Sequence, residues 1–236
     1  MLTRLKQYLQ AAVDVVLPRT CPVCKRALVA DEHYVCRNCM VTLPRTHFHE
    51  IKFNVMEQRF AGKMRVEHAA AYFYYEKGSP FSSIIHDIKY RNMPGMGKWM
   101  AKQAVNEMRE SKFFQGIDVI VPVPLHIDKL AQRGYNQAEC IAQGIAQATG
   151  AIVCNAVVAL KAHNTQTQKG AYERWRNTHN TYGLNEKEIG KLEGKNVLIV
   201  DDVVTTGATL LACAEVVAQI PGITIYLFTL AAARLD

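Results

Sequence analysis

Four cysteines are the first residues whose spacing implies chemistry. Cys21-Pro-Val-Cys24 and Cys36-Arg-Asn-Cys39 are two C-x2-C pairs separated by eleven residues. Each pair places two thiolates on one side of a tight turn, and two such turns facing each other make an S4 cage suited to Zn²⁺. Four protein ligands leave no open coordination position, so the metal would be structural, fastening a segment too short to build its own core. A redox dithiol is the competing reading, but a C-x2-C of that kind sits in a strand-helix unit and needs no second pair. His33, between the pairs, reads as a loop residue because four thiolates already complete the site. Cys140, Cys154 and Cys213 lie in apolar runs and read as small core residues.

The second chemical group is the stretch from Val197 to Thr209. Val197-Leu198-Ile199-Val200 reads as a buried strand, Asp201 and Asp202 emerge at its end, and a Thr205-Thr206-Gly207 turn leads into a helix that begins near Ala208. Such a turn offers hydroxyls and backbone N–H groups at a helix N-terminus, where a phosphate monoester is held by unsatisfied donors and the dipole. Gly207 permits close backbone approach. The two acids cannot bind phosphate directly, but they can accept hydrogen bonds from vicinal sugar hydroxyls or hold a hydrated Mg²⁺. A sugar 5-phosphate fits both halves.

These residues need elements to position them. From Ile117 onward short β-branched runs alternate with helical segments: strands at Ile117 to Val123, Ala151 to Leu160, Asn196 to Val200 and Ile223 to Leu230, helices at Asn136 to Thr149 and Ala208 to Gln219. Continuous apolar strands suit the doubly covered centre of a parallel sheet, so the class is α/β, with ligands beyond the carboxyl ends of the strands. Upstream, Ala69 to Tyr75 is a strand candidate, and helices are expected at Pro80 to Tyr90 and Gly97 to Ser111, with a turn at Asn92-Met93-Pro94-Gly95 between them. The spacing of Leu2, Leu5, Leu9, Ala12, Val13 and Val16 predicts an N-terminal helix closed by Pro18. Residues 1–48 would form that helix and the zinc module, and 49–236 the α/β domain.

Composition bounds the remainder. At 236 residues with 49% hydrophobic and 21% charged, the chain has the make-up of an ordinary globular protein rather than a disordered or fibrous one. Its longest charge-free apolar stretch, Ile223 to Ala233, is too short for a bilayer crossing, which takes about 20 residues, so no membrane span is expected. The first seventeen residues lack a secretion-signal pattern, which points to the cytoplasm, where thiols stay reduced. Charge is uneven: residues 1–116 carry 18 Lys and Arg against 10 Asp and Glu, and residues 117–236 carry 10 against 11. A basic half beside a near-neutral half is a prior for an anionic partner such as single-stranded DNA.

Residues 197–209 match, position by position, the phosphoribosyl pyrophosphate motif, so the chain resembles the type I phosphoribosyltransferase superfamily. The C-x2-C module, then Ile88-Lys89-Tyr90, Val121-Pro122-Val123-Pro124-Leu125 and Arg133-Gly134-Tyr135-Asn136-Gln137, resembles the ComF family of bacteria (competence protein F, GntX type) along nearly the whole chain. The resemblance implies a type I phosphoribosyltransferase-like parallel sheet flanked by helices, phosphoribosyl pyrophosphate bound with Mg²⁺, and transfer of phosphoribose to an unknown nitrogenous acceptor. Alternatively it implies a non-catalytic role in DNA uptake during natural transformation, with single-stranded DNA and a competence helicase or uptake machinery as partners.

Residue by residue, the resemblance assigns Asp201 and Asp202 to the ribose hydroxyls and Thr205, Thr206, Gly207, Ala208 and Thr209 to the 5′-phosphate. Leu125, Arg133, Gly134 and Asn136 would belong to the pyrophosphate loop, with Arg133 as a positive fork, and Lys89 would also touch substrate. Lys161 to Tyr182 would be the basic loop that closes on substrate. Two positions depart from the patterns: Lys161 and His163 stand where Arg is usual in ComF sequences, and Thr205 stands where purine-salvage enzymes place an Asp. A threonine is no general base near neutral pH, so hypoxanthine or guanine salvage is disfavoured.

Overall fold

In the computed structural model, which describes residues 18–160 and 181–234, the apolar runs assemble into a five-stranded sheet of order β1-β7-β6-β2-β3, with every neighbouring pair parallel. The strands are β1 His68–Tyr75, β2 Val119–Pro122, β3 Ile152–Val153, β6 Asn196–Val204 and β7 Thr224–Ala233. Beside them β4 Val157–Ala159 and β5 Tyr182–Leu184 form a separate antiparallel ribbon. The helices, in chain order, are α1 Arg37–Val41, α2 Val55–Gln58, α3 Ser82–Tyr90, α4 Pro94–Glu107, α5 Ile127–Arg133, α6 Gln137–Thr149 and α7 Ala208–Val217. The expected N-terminal helix and most of the basic loop lie outside the described residues.

Strands β1, β6 and β7 are buried because their sequences are apolar on both faces. Val197, Leu198, Ile199 and Val200 of β6 are fully buried, as are Ala69 to Ala71 and Phe73 of β1 and Leu227, Phe228 and Leu230 to Ala232 of β7. The class is therefore α/β with a parallel sheet flanked by helices, as expected. Helix α4 starts at Pro94 rather than Gly97, since proline is favoured in a first helical turn where its missing N–H costs nothing. Asn136 caps α6, its side-chain oxygen accepting from Ala138 N.

Two strand expectations need correction. The single strand expected from Ala151 to Leu160 is broken into β3 and β4. Odd-numbered residues of β2 turn toward β6, where Val123 N donates to Val200 O, and even-numbered ones toward β3, where Cys154 N donates to Ile120 O. The next donor toward β3 would be position 122, a proline with no N–H, so pairing stops there and the chain leaves the sheet. The second correction is β6, which continues past Val200 to Val204 because β7 extends alongside it to pair Asp201 with Thr229 and Val204 with Ala232. The two acids thus lie within the strand and, being successive, point to opposite faces.

The cysteine module shares one continuous apolar core with the sheet domain through Cys21, Leu28, Val35 and Leu43. Its Tyr34 ring lies 6.0 Å from Trp99 on α4. The Tyr34 hydroxyl sits where a Cβ on Gly95 would be, so any larger residue there would push the Tyr34 ring aside.

Candidate phosphoribosyl site and metal centre

A cavity of about 510 Å³ opens at the carboxyl ends of β2 and β6. It brings together Asp201 and Asp202 from β6, Thr205 from the turn after it and Thr209 from α7 with Lys89 from α3 and Arg133 from α5. Leu125 and Asn136 also line it, whereas Thr206, Gly207, Ala208 and Gly134 lie beside the wall rather than in it.

The acid pair is electrostatically asymmetric. Asp202 is 7% exposed, and its Oδ1 accepts from Lys89 Nζ at 3.1 Å. Asp201 accepts instead from the Asp202 backbone N–H at 2.8 Å. The Asp201 carboxyl is partly exposed on the cavity but crowded by protein, and this loss of solvation, followed by the nearby Asp202 charge, pushes its pKa up to about 7 against the pull of Lys89 and Lys129. Its charge in turn bears on Cys213 of α7 and Tyr182 of β5.

The threonine turn is pinned by contacts remote in sequence. Arg59, just after α2, donates through Nη1 to Thr205 O and through Nη2 to Ala233 O at 2.9 Å. Gly207 has φ +83, a left-handed value that favours glycine, and a Cβ there would lie 3.2 Å from the Phe60 ring. As the N-cap of α7, Gly207 supplies no side-chain acceptor; the Ala208 N–H donates to Thr206 Oγ1 at 3.4 Å, and the N–H groups of Thr209 and Leu210 that follow it suit an anion.

At the opposite end, the segment after Pro124 is not the open loop expected but helix α5, capped at its start by His126 and ended by Gly134 with φ +78. It buries no residue, so no apolar stripe betrays it in the sequence. Arg133 donates through Nη1 to Gln137 Oε1 at 2.9 Å, and its guanidinium carbon stands 5.2 Å from the Tyr90 ring centroid. The Asn136 amide is committed to the fold: Nδ2 donates to Val123 O at 3.0 Å while Oδ1 caps α6. The sequence did not single out Lys129 and His86, which also line the cavity, or Arg59. Of the basic loop, Thr181 and Tyr182 are described, and both border the cavity.

The second constellation is the cysteine cluster. The Sγ atoms of Cys21, Cys24, Cys36 and Cys39 all lie within 4.8 Å of one another. A tetrahedral Zn²⁺ with bonds of about 2.3 Å sets its ligand sulfurs about 3.8 Å apart, so the cluster fits a metal of this kind. Glu32, buried between the two knuckles, accepts from Val29 N at 3.0 Å, Arg37 N at 2.8 Å and Arg26 Nη2 at 2.7 Å. Those bonds join the loop between the pairs to the residue after Cys36 and hold the cage together when its thiolates are apart.

Residues 100–234 match the phosphoribosyl transferase domain family. The chain belongs to that family. Among similar proteins is the DNA utilization protein YhgH of Escherichia coli K12, 30% identical over 202 residues that span 83% of this chain and 82% of that one. Competence protein F of Haemophilus influenzae is 31% identical over 136 residues, 56% of this chain and 58% of that one. An adenine phosphoribosyltransferase crystal structure aligns with 66% of this chain and 76% of its own at 22% identity, TM-score 0.40. With these relatives and the matched domain, the chain is a ComF-family member of the phosphoribosyltransferase superfamily. In phosphoribosyltransferase terms, the carboxylate pair and the threonine turn of this chain sit on one cavity. No helix among the described residues is long and apolar enough to cross a membrane.

Proposed function

We propose that this phosphoribosyltransferase domain binds phosphoribosyl pyrophosphate with Mg²⁺ and transfers its phosphoribose to a nitrogenous acceptor. The observation that carries the reading is that Asp201 and Asp202, Thr205 and Thr209, and Lys89 and Arg133 line one cavity, so groups for the sugar, the monoester and the diphosphate converge. Asp201 and Asp202 accept from the ribose hydroxyls. The turn around Thr205 and the first N–H groups of α7 hold the 5′-phosphate. Arg133, Lys89 and Lys129 face the diphosphate and stabilise its charge as the C1–O bond breaks and a C1–N bond forms. The hard carboxylate oxygens suit a hydrated Mg²⁺, which when bound neutralises diphosphate charge. Calorimetric titration of phosphoribosyl pyrophosphate, ribose 5-phosphate and pyrophosphate, each with Mg²⁺, tests the reading. The intact ligand should bind at least roughly tenfold tighter than either half, because one pocket grips both ends. No binding of the intact ligand, or binding no tighter than that of pyrophosphate alone, would overturn it.

A DNA-related role is the second reading, supported by the names of the two relatives and by the basic N-terminal half. Lys25, Arg26 and Arg37 are exposed on the cysteine module and would contact phosphates of single-stranded DNA. Changing these three to Gln should flatten the salt dependence of oligonucleotide affinity by up to about 2 in log–log slope. An unchanged slope would remove the module from any DNA interface. For the cysteine cluster we propose Zn²⁺ as the resident metal.

A further inference from the structure

Helix α3 is fixed in place and sends one long, unbranched side chain into the cavity. Ile84 and Ile88 are fully buried, the Tyr135 hydroxyl donates to Ile88 O, and the buried Asp87 carboxylate accepts from Arg91 Nε at 3.2 Å. From this fixed backbone Lys89 extends a four-carbon arm into the cavity and places its ammonium on Asp202. The lysine side chain is 23% exposed and the Asp202 side chain 10% exposed, so the pair is screened far less than a surface one. Arg133, by contrast, is held at the rim by Gln137 and stacked on Tyr90. Of these two cations, Lys89 is the one whose arm can swing while the backbone beneath it stays put.

We propose that Lys89 is a resident counter-ion that occupies Asp202 in the ligand-free protein and passes to the ligand's diphosphate when Mg²⁺ takes its place. The proposal rests on the phosphoribosyl pyrophosphate reading and adds an order to it. A mostly buried carboxylate left without a cation is costly, and here a second carboxylate, Asp201, stands beside it. Lys89 meets that need, lowering the energy of both acids before ligand arrives. Mg²⁺ prefers the same carboxylate oxygens, and a dication and an ammonium within a few ångström of one oxygen repel each other. Metal alone must therefore displace the lysine with nothing to receive it. Metal arriving with a diphosphate supplies the lysine with a new anion, so the two bind together better than either alone.

The test is calorimetric titration of Mg²⁺ alone, and separately of phosphoribosyl pyrophosphate with Mg²⁺, into wild type and Lys89→Met. The variant should bind Mg²⁺ alone roughly tenfold tighter and phosphoribosyl pyrophosphate with Mg²⁺ roughly tenfold weaker, an exchange of opposite signs. A lysine that only props up the fold would weaken both. Unchanged or weakened Mg²⁺ affinity in Lys89→Met overturns the proposal even if phosphoribosyl pyrophosphate binds the wild type. Tighter Mg²⁺ binding in a protein that ignores phosphoribosyl pyrophosphate supports the counter-ion and refutes the functional reading instead. Should Lys89→Met fail to fold, Lys89→Arg carries the test: its fork holds a carboxylate at least as firmly, so Mg²⁺ alone should bind no better than to wild type, and tighter binding would overturn the proposal.

Discussion

Asp201→Asn should make the protein more stable and nearly unable to hold its ligand. In the unfolded chain this carboxyl ionises near its ordinary value of 3.8, whereas in the fold it keeps its proton up to about 7. An acid whose folded pKa is raised weakens the fold progressively as pH climbs between those two values, and the deficit is complete above the higher one. Asparagine has no charge to desolvate, so the variant should melt close to wild type at pH 4 and higher by roughly 10 °C at pH 8, corresponding to about 4 kcal/mol. Ligand affinity should move the other way. Wild-type affinity for phosphoribosyl pyrophosphate with Mg²⁺ should rise as pH passes through about 7, while the variant binds at least roughly 100-fold more weakly at pH 8 and shows little pH dependence. Melting curves and titrations across pH check both halves. A variant less stable than wild type at pH 8, or one that binds as well, would mean the acid is an ordinary structural group.

Loss of metal from the cysteine cluster should have the next largest effect. The purified protein should carry one Zn²⁺ per chain by atomic absorption, and chelation or Cys24→Ser should lower the melting temperature by more than ~10 °C. The size follows from the module's position: its four sulfurs and the Glu32 network are what order residues 21–39, and Cys21, Leu28 and Val35 continue the core of the sheet domain. Trp99 gives a local readout, since the Tyr34 ring beside it belongs to the module and its fluorescence should change as metal leaves. Metal-free protein with full stability would show that the cluster is only a thiol-rich turn.

The parts of the site legible in the sequence are those that are contiguous. The Asp201–Thr209 stretch and the two C-x2-C pairs lie within a few residues each, so their spacing alone pointed to a turn at a strand end and a cluster of four thiols, both of which the fold brings together. What the sequence did not show depends on geometry between distant segments. The extra length of β6 comes from β7 running alongside it, the break in the expected Ala151 to Leu160 strand from a proline on the neighbouring strand, and helix α5 from its caps rather than from a buried stripe. Arg59 reaches Thr205 from 146 positions away, and no local pattern marks an arginine for that task. Lys89 was legible as a motif residue, but its partner Asp202 was legible only as a sugar ligand, and their pairing emerges from the packing of α3 over the strand ends.

A single ligand gripped at both ends by the two sides of one cavity is read directly by ³¹P NMR of bound phosphoribosyl pyrophosphate with Mg²⁺. The 5′-phosphate line and the diphosphate lines should each shift on binding to wild type. Thr209→Val should return only the monoester line toward its free position, and Arg133→Ala only the diphosphate lines. A monoester line that stays at its free position in wild type, or two variants that disturb the same resonances, would contradict the assignment of the threonine turn and the arginine to opposite ends of the ligand.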